Sequence, residues 1–218
     1  TVKASVQIPV IAVGRYIDIH MAETMLRDGK ADYIAMARAS LADPDLPKKA
    51  KEGRADDIIQ CIGCDQGCTG ETAAGNPVNC LANPHTCKET VYDLSKVEHP
   101  KKVFVAGSGV SGLSAAYGAA ERGHHVTVFE ADSEIGGQWI AAAMPPGKTD
   151  YNAWIYNHRR LLEEYNAEIR LNTPLTKEIV EAEKPDAVIL ATGSVPLVLP
   201  IPGLDNTKFV KSAIDVLR

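Results

Sequence analysis

The sequence predicts an α/β fold built on parallel strands, and three observations carry that reading. Strand-like and helix-like periods alternate twice before residue 57, and they alternate again from Lys101 with a glycine-rich turn between strand and helix. The stretch between shows no sustained period, yet it holds all 5 cysteines. Regular alternation of strand and helix is the mark of a parallel sheet with helices laid over it.

In the first part, the apolar run 9–13 reads as a short strand ended by Gly14. Met21, Met25 and Leu26 recur at helical spacing and Gly29 stops that helix; residues 33–37 form the second strand. Asp45 is placed to cap a short helix carrying Lys48, Lys49 and Lys51 and ending at Gly53, with Pro47 allowed in its first turn. From Asp57 to about Pro100, glycines and prolines punctuate the chain, and a loop of that length needs another organiser. Beyond it come a strand at 103–106, a helix at 110–122 stopped by Gly123, and a strand at 126–130. An amphipathic helix at 151–166, a strand at 167–171 and a strand at 187–192, expected to be buried and bounded by Gly193, complete the series.

Composition narrows the classes. The 218 residues, 45% hydrophobic and 23% charged, suit a globular chain but exclude a complete (β/α)₈ barrel of about 250 residues together with anything else. No apolar run approaches the roughly 18 residues of a membrane-spanning helix. With 23 basic against 28 acidic residues and no block of like charge, nucleic acid is not an expected partner. The opening lacks a signal peptide's charged and apolar regions, so a cytoplasmic location is expected, and a first residue of Thr1 hints at a longer parent chain.

The odd number of cysteines, crowded between Cys61 and Cys87, suits a metal or cluster site better than disulfides. Cys61, Cys64 and Cys68 stand in CIGCDQGC, and Cys80 follows after eleven residues. A close triplet plus a distant fourth thiolate can reach the corners of a 4Fe-4S cubane, and Gly63, Gly67 and Gly70 let the backbone bend round it. Structural zinc and a reduced, metal-free set of buried thiols are the alternatives, though zinc more usually pairs two CxxC elements. Cys87 is read as a small buried hydrophobe rather than a fifth ligand.

GSGVSG, with Gly107, Ser108, Gly109 and Gly112, lies directly after an apolar strand and directly before a helix, the setting of a dinucleotide-binding fingerprint. The glycines permit the turn, the approach of a pyrophosphate and close helix packing, and the helix N-terminus favours the negative charge. Glu130, eighteen residues beyond Gly112, can accept hydrogen bonds from an adenosine ribose without a 2′-phosphate. Gly136, Gly137 and Gln138, then Ala191, Thr192 and Gly193, resemble elements of flavoproteins of the glutathione-reductase type, which implies FAD at the first fingerprint.

The order of motifs is more specific than any one of them. AVGR and MARASLADPDLP, then CIGCDQGC, then GSGVSG resemble the multidomain old-yellow-enzyme family of NADH:flavin oxidoreductases, which includes 2,4-dienoyl-CoA reductase, enoate reductases and trimethylamine dehydrogenase. The resemblance implies three parts: residues 1–56 as the last βα units of an FMN-binding TIM barrel, 57–100 as a 4Fe-4S segment and linker, and 101–218 as an incomplete FAD domain. It implies that Gly14, Arg15, Ala37 and Arg38 grip the FMN phosphate, with Ala39 where a proline is frequent. The bland alternative for Arg38 is a surface pair with Asp43 or Asp45.

By resemblance, the parent protein passes electrons from NAD(P)H through FAD, 4Fe-4S and FMN to an activated C=C bond of an enoate or dienoyl-CoA. The three residues between Cys64 and Cys68 favour this over the amine dehydrogenases. A third reading is an electron-transfer or cofactor-binding piece without substrate chemistry of its own. Catalytic residues are expected in the missing barrel, and partners are a small-molecule substrate, the remainder of the polypeptide or complementary chains, and a possible second copy.

Overall fold

A computed structural model describes residues 2–197, 199–204 and 208–217. The chain forms two compact units, Thr1–Asp93 and Leu94–Arg218, so the cysteine stretch belongs with the first strand–helix repeats.

In the first unit, β1 (Ile11–Val13) pairs in parallel with β2 (Tyr33–Ala35), connected through α1 (Ile19–Arg27). Asp18 starts α1 by accepting a hydrogen bond from His20 N at 2.8 Å, and Gly29, at φ +63°, ends it. The second strand stops earlier than its sequence suggests: Ala37 already lies in the first turn of α2 (Ala37–Ala42), because a run of alanines favours helix once the sheet edge is passed. Next comes α3 (Leu46–Lys51), whose N-cap Asp45 makes no side-chain cap. Asp43 supplies the turn instead, its Oδ1 accepting from Asp45 N at 3.0 Å.

The aperiodic stretch is not wholly irregular, since a π-helical turn (Gln66–Gly70) runs into the single turn of α4 (Glu71–Ala73). The core of this unit is Ile17, Ala39, Ala42, Leu46, Ile58 and Cys61, with Met36 and Cys80 packed against it. On β1 and β2, Ile11, Val13 and Tyr33 stay exposed, which is what two strands that close no barrel present.

The second unit is a four-stranded parallel sheet in the order β5-β4-β3-β6. Its elements are β3 (Lys102–Ala106), α5 (Val110–Glu121), β4 (His125–Phe129), α6 (Gln138–Ala143), α7 (Asn152–Glu164), β5 (Glu168–Arg170), α8 (Lys177–Glu183), β6 (Ala187–Leu190) and α9 (Ala213–Leu217). Phe104, Val105, Val128 and Phe129 fill the sheet centre, and α5 and α7 add Leu113, Ala116, Trp154 and Leu162. Continuous apolar strands of this kind belong in a sheet covered on both faces.

One expectation fails. The strand expected to be buried at 187–192 is the sheet edge, β6, and Leu190 is 79% exposed. Its apolar sequence reads as buried, but among the described residues it has a strand neighbour only in β3. No helix is long and apolar enough to cross a membrane among the described residues.

Candidate functional site

The glycine fingerprint opens a groove of about 820 Å³ at the carboxyl ends of β3, β4 and β6. That is where an open parallel sheet binds ligands. Gly107, Ser108, Gly109, Glu130, Gly137, Gln138, Thr192 and Gly193 all line it, so the structure gathers residues that stand up to 86 positions apart in the chain.

Each glycine has its own reason. Gly107 sits at φ +99°, and an added Cβ would lie 2.3 Å from the Ala191 carbonyl oxygen, so only glycine allows β6 to end against this turn. Gly112 does not face the groove; a Cβ there would stand 1.9 Å from Gly107 O, making it the residue that lets α5 close onto its own loop. Gly109 caps α5 with open space where its Cβ would be, leaving the backbone approachable by a ligand. Gly137, at φ +54°, belongs to a second turn where an added Cβ would stand 3.3 Å from Gly109 Cα, and Gly136 N donates to Ser108 O at 2.9 Å. Gln138 Nε2 donates to Ser194 O at 2.8 Å, tying that turn to the segment after β6.

Glu130 follows β4 and is buried. Its Oε2 accepts from Ser108 N at 2.8 Å and from Ser108 Oγ at 2.5 Å, and its Oε1 accepts from Asp132 N at 2.9 Å. Burial alone would push this carboxyl up; the hydrogen bonds from Asp132, Ser108 and Ala131 outweigh it and hold the group below the usual range, ionised. The carboxylate therefore braces the glycine loop, a role its position at a strand end did not reveal. Trp139 is a second residue the sequence reading missed: it lines the groove, stacks on Tyr151 at 5.1 Å between centroids, and donates Nε1–H to Tyr151 O.

In the other unit, the cysteine loop is docked by the protein itself. Asp43, 2% exposed, accepts from Lys49 Nζ at 2.7 Å and from Ile59 N at 2.9 Å, which fixes the lead-in to Cys61. After Cys80, Asn83 Nδ2 donates to Ala42 O and Thr86 Oγ1 to Leu41 O, both at 2.8 Å. Asn79 N donates to Gly67 O at 2.8 Å, and a Cβ on Gly67 would stand 2.3 Å from Asn79 Oδ1; this close backbone contact draws Cys68 and Cys80 together.

Burial pushes the thiols of Cys61 and Cys80 up, and each is raised further by its neighbours: Cys80 and Cys64 act on Cys61, and Cys64 and Cys68 act on Cys80. The four thiols are thus one electrostatic group. Cys87 stands apart from it in those interactions and is exposed, not buried as its sequence context suggested. Among the described residues, no three of His, Cys, Asp and Glu are gathered as ligands of one metal ion.

The arginines expected at a phosphate are found against this loop. Gly14 and Arg15 have φ +134° and +49°, two successive positive values that turn the chain sharply after β1. A Cβ on Gly63 would lie 3.2 Å from Arg15 Nε. Arg38 Nη1 pairs with Asp65 Oδ1, not with Asp43 or Asp45.

Comparison with known proteins finds a family match in each unit. Residues 1–57 match the model of the NADH:flavin oxidoreductase / NADH oxidase family, and residues 105–164 that of the NAD(P)-binding Rossmann-like domain. A metal reductase of Desulforamulus reducens is 40% identical over 99% of this chain and 33% of its own length. A cinnamate reductase of Clostridium sporogenes is 38% identical over 99% of this chain and 32% of its own. The solved structure of a 2-naphthoyl-CoA reductase in complex with 2-naphthoyl-CoA superposes with a TM-score of 0.93 at 34% identity, covering 99% of this chain and 33% of that one. An amine oxidase from Pseudomonas geniculata N1 gives a TM-score of 0.83 at 32% identity over 94% of this chain and 33% of that one.

The fold is of α/β class, with a two-stranded and a four-stranded parallel sheet, and its first 57 residues match a flavin oxidoreductase family. The match of residues 1–57 and the likeness to these reductases support a fragment of an old-yellow-enzyme-family NADH:flavin oxidoreductase. It spans about a third of the length of the curated relatives it matches.

Proposed function

We propose that the protein to which this chain belongs is an NAD(P)H-dependent flavin oxidoreductase that reduces an activated C=C bond of an enoate or aromatic acyl-CoA type. The observation that carries the reading is the likeness over 99% of the chain to a reductase crystallised with 2-naphthoyl-CoA. When bound, FMN and FAD supply hydride chemistry, and a 4Fe-4S cluster supplies one-electron steps between them.

This chain's residues fit those groups. The Gly107–Gly112 turn and the N-terminus of α5 present backbone N–H groups and a positive dipole end to the pyrophosphate of an FAD. Glu130 is the ribose acceptor, where a ribose hydroxyl competes with Ser108 Oγ for Oε2. Thr192, Gly193, Gly137 and Gln138 wall the groove. Gly14, Arg15, Ala37 and Arg38 hold the FMN phosphate, for which an arginine offers paired donors. Cys61, Cys64, Cys68 and Cys80 hold the cluster, and each thiolate of a cubane binds a different iron, so the four surround a shared volume rather than a point.

Amine oxidation is the rival, supported by the likeness to the amine oxidase structure. Stopped-flow reduction of the full-length protein separates the two. Rapid bleaching of the flavin by NADH or NADPH, and reoxidation by an enoate such as cinnamate, is the expected result; reduction by an amine and not by either nicotinamide contradicts the proposal. Cys64→Ser is expected to abolish the cluster's visible absorbance and lower iron content while FAD content stays near that of the wild type. Intact cluster absorbance in that variant would remove Cys64 from the ligand set.

A further inference from the structure

The guanidinium of Arg38 is held at the start of α2 by a carboxylate that belongs to the cysteine loop. Asp65 lies between Cys64 and Cys68, in CIGCDQGC, and its backbone is left-handed, at φ +57°. A left-handed aspartate is uncommon and mildly strained, and it is the step that turns the loop into the π-helical turn carrying Cys68. The same turn closes through Gly70 N donating to Asp65 O at 2.8 Å. One residue before Cys64, the Arg15 guanidinium lies close to Gly63, where an added Cβ would stand 3.2 Å from its Nε. Two arginines from two different strand ends therefore lie against two residues of the cysteine loop, Gly63 and Asp65.

The pairing uses one guanidinium nitrogen. Arg38 Nη1 meets Asp65, and no other side-chain partner of Arg38 is found among the described residues, so its remaining N–H fork is oriented yet open to a second anion. A guanidinium fixed in this way has lost much of its rotamer freedom before a phosphate arrives, which strengthens the later contact. Arg38 also interacts electrostatically with Cys61 and Cys68. Charge placed on either side of this arginine is felt on the other.

We propose that Asp65 is a positioning residue that couples the flavin-phosphate site to the cysteine loop, by holding Arg38 for the phosphate of an FMN while tying the same guanidinium to the loop. The proposal rests on the flavin and cluster reading given above. Because coupling between two sites is reciprocal, what stabilises phosphate on Arg38 also changes the electron affinity of the group on the cysteines. With its side chain half exposed, the Asp65 pair is partly screened by water, so its value is orientation and local charge rather than stability.

The test uses the full-length protein with Asp65→Asn and Asp65→Glu. Asparagine tolerates the left-handed backbone and keeps the shape while losing the charge. Three quantities are read: iron content, the dissociation constant of FMN on reconstitution of deflavinated protein, and the midpoint potential of the cluster followed by electron paramagnetic resonance. For Asp65→Asn, FMN binding is expected to weaken about tenfold and the potential to rise, because a negative charge beside the cysteines is removed. Asp65→Glu is expected to restore most of both.

Unchanged FMN affinity in Asp65→Asn overturns the proposal, as does an Asp65→Glu variant no better than Asn, which would make the residue a shape anchor. If Asp65→Asn fails to retain iron, its FMN affinity alone decides: weakened and restored by Glu supports the coupling, and unchanged refutes it. A wild-type protein that binds neither FMN nor iron defeats the flavin and cluster reading itself, and the coupling with it.

Discussion

Gly107 and Gly109 stand two residues apart and answer to different demands. Replacing Gly107 by alanine imposes φ +99° on an L side chain and drives a methyl to 2.3 Å from Ala191 O, so Gly107→Ala is expected to cost about 3 kcal/mol of stability. Gly109→Ala meets open space at an ordinary φ of -70° and is expected to change stability by less than about 0.5 kcal/mol, yet to weaken FAD by tenfold or more. Urea denaturation and flavin content check the pair; equal loss of stability in both would mean the loop has no ligand-facing position.

His158 makes a second prediction at this scale. It is buried, stacked at 3.8 Å on Trp154, and its Nε2 has no hydrogen-bond partner among the described residues; burial brings its pKa down to about 4. Above pH 6.5 the ring is neutral in folded and unfolded chains alike. As pH falls from 6.5 towards 4, the unfolded chain takes up a proton that the folded one refuses, and stability falls by up to roughly 3 kcal/mol. Glu130, held below the usual carboxylate range, adds its own loss only as pH falls below the ordinary glutamate value of about 4.5. His158→Phe keeps a ring against Trp154 and is expected to flatten the stability profile between pH 6.5 and 4; an unchanged slope would assign that dependence elsewhere. The fingerprint glycines were legible because their chemistry is local. The Ser108–Glu130 brace and the Arg38–Asp65 pair were not, because each joins positions far apart in the chain whose meeting only the fold decides.

At the scale of elements, the cysteine stretch shows why periodicity alone under-reads a loop. It was expected to need an outside organiser, and part of the organisation is Asp43, a buried carboxylate that joins the end of α2, Lys49 of α3 and the backbone leading to Cys61. Asp43→Ala strands a half-buried lysine and the Ile59 N–H, and is expected to cost about 3 kcal/mol and to lower iron retention. Thermal unfolding and iron analysis of that variant check this, and wild-type iron with wild-type stability would show that the loop is held by its ligands alone. The strand–helix order was legible where the period was clear, with ends displaced by a few residues, whereas the short helices α2, α6, α8 and α9 were not foreseen. The burial of β6 was misread, since an apolar strand looks the same whether a neighbour covers it or not.

Over the whole molecule, the order of motifs was more telling than their number. Two strand–helix units cannot close a barrel, and the exposed Ile11, Val13 and Leu190 mark surfaces that small isolated domains rarely leave open. A family match falls in each unit, and the proposed roles meet in one account: a flavin phosphate beside β1 and β2, four thiols on the adjoining loop, and a dinucleotide groove in the second unit. That account stands or falls on which groups the protein holds. Native mass spectrometry of the full-length protein, with iron and sulfide analysis, is the most direct test. One FMN, one FAD and four irons with four sulfides per chain is the result expected; one zinc without sulfide, or a single flavin, would contradict it.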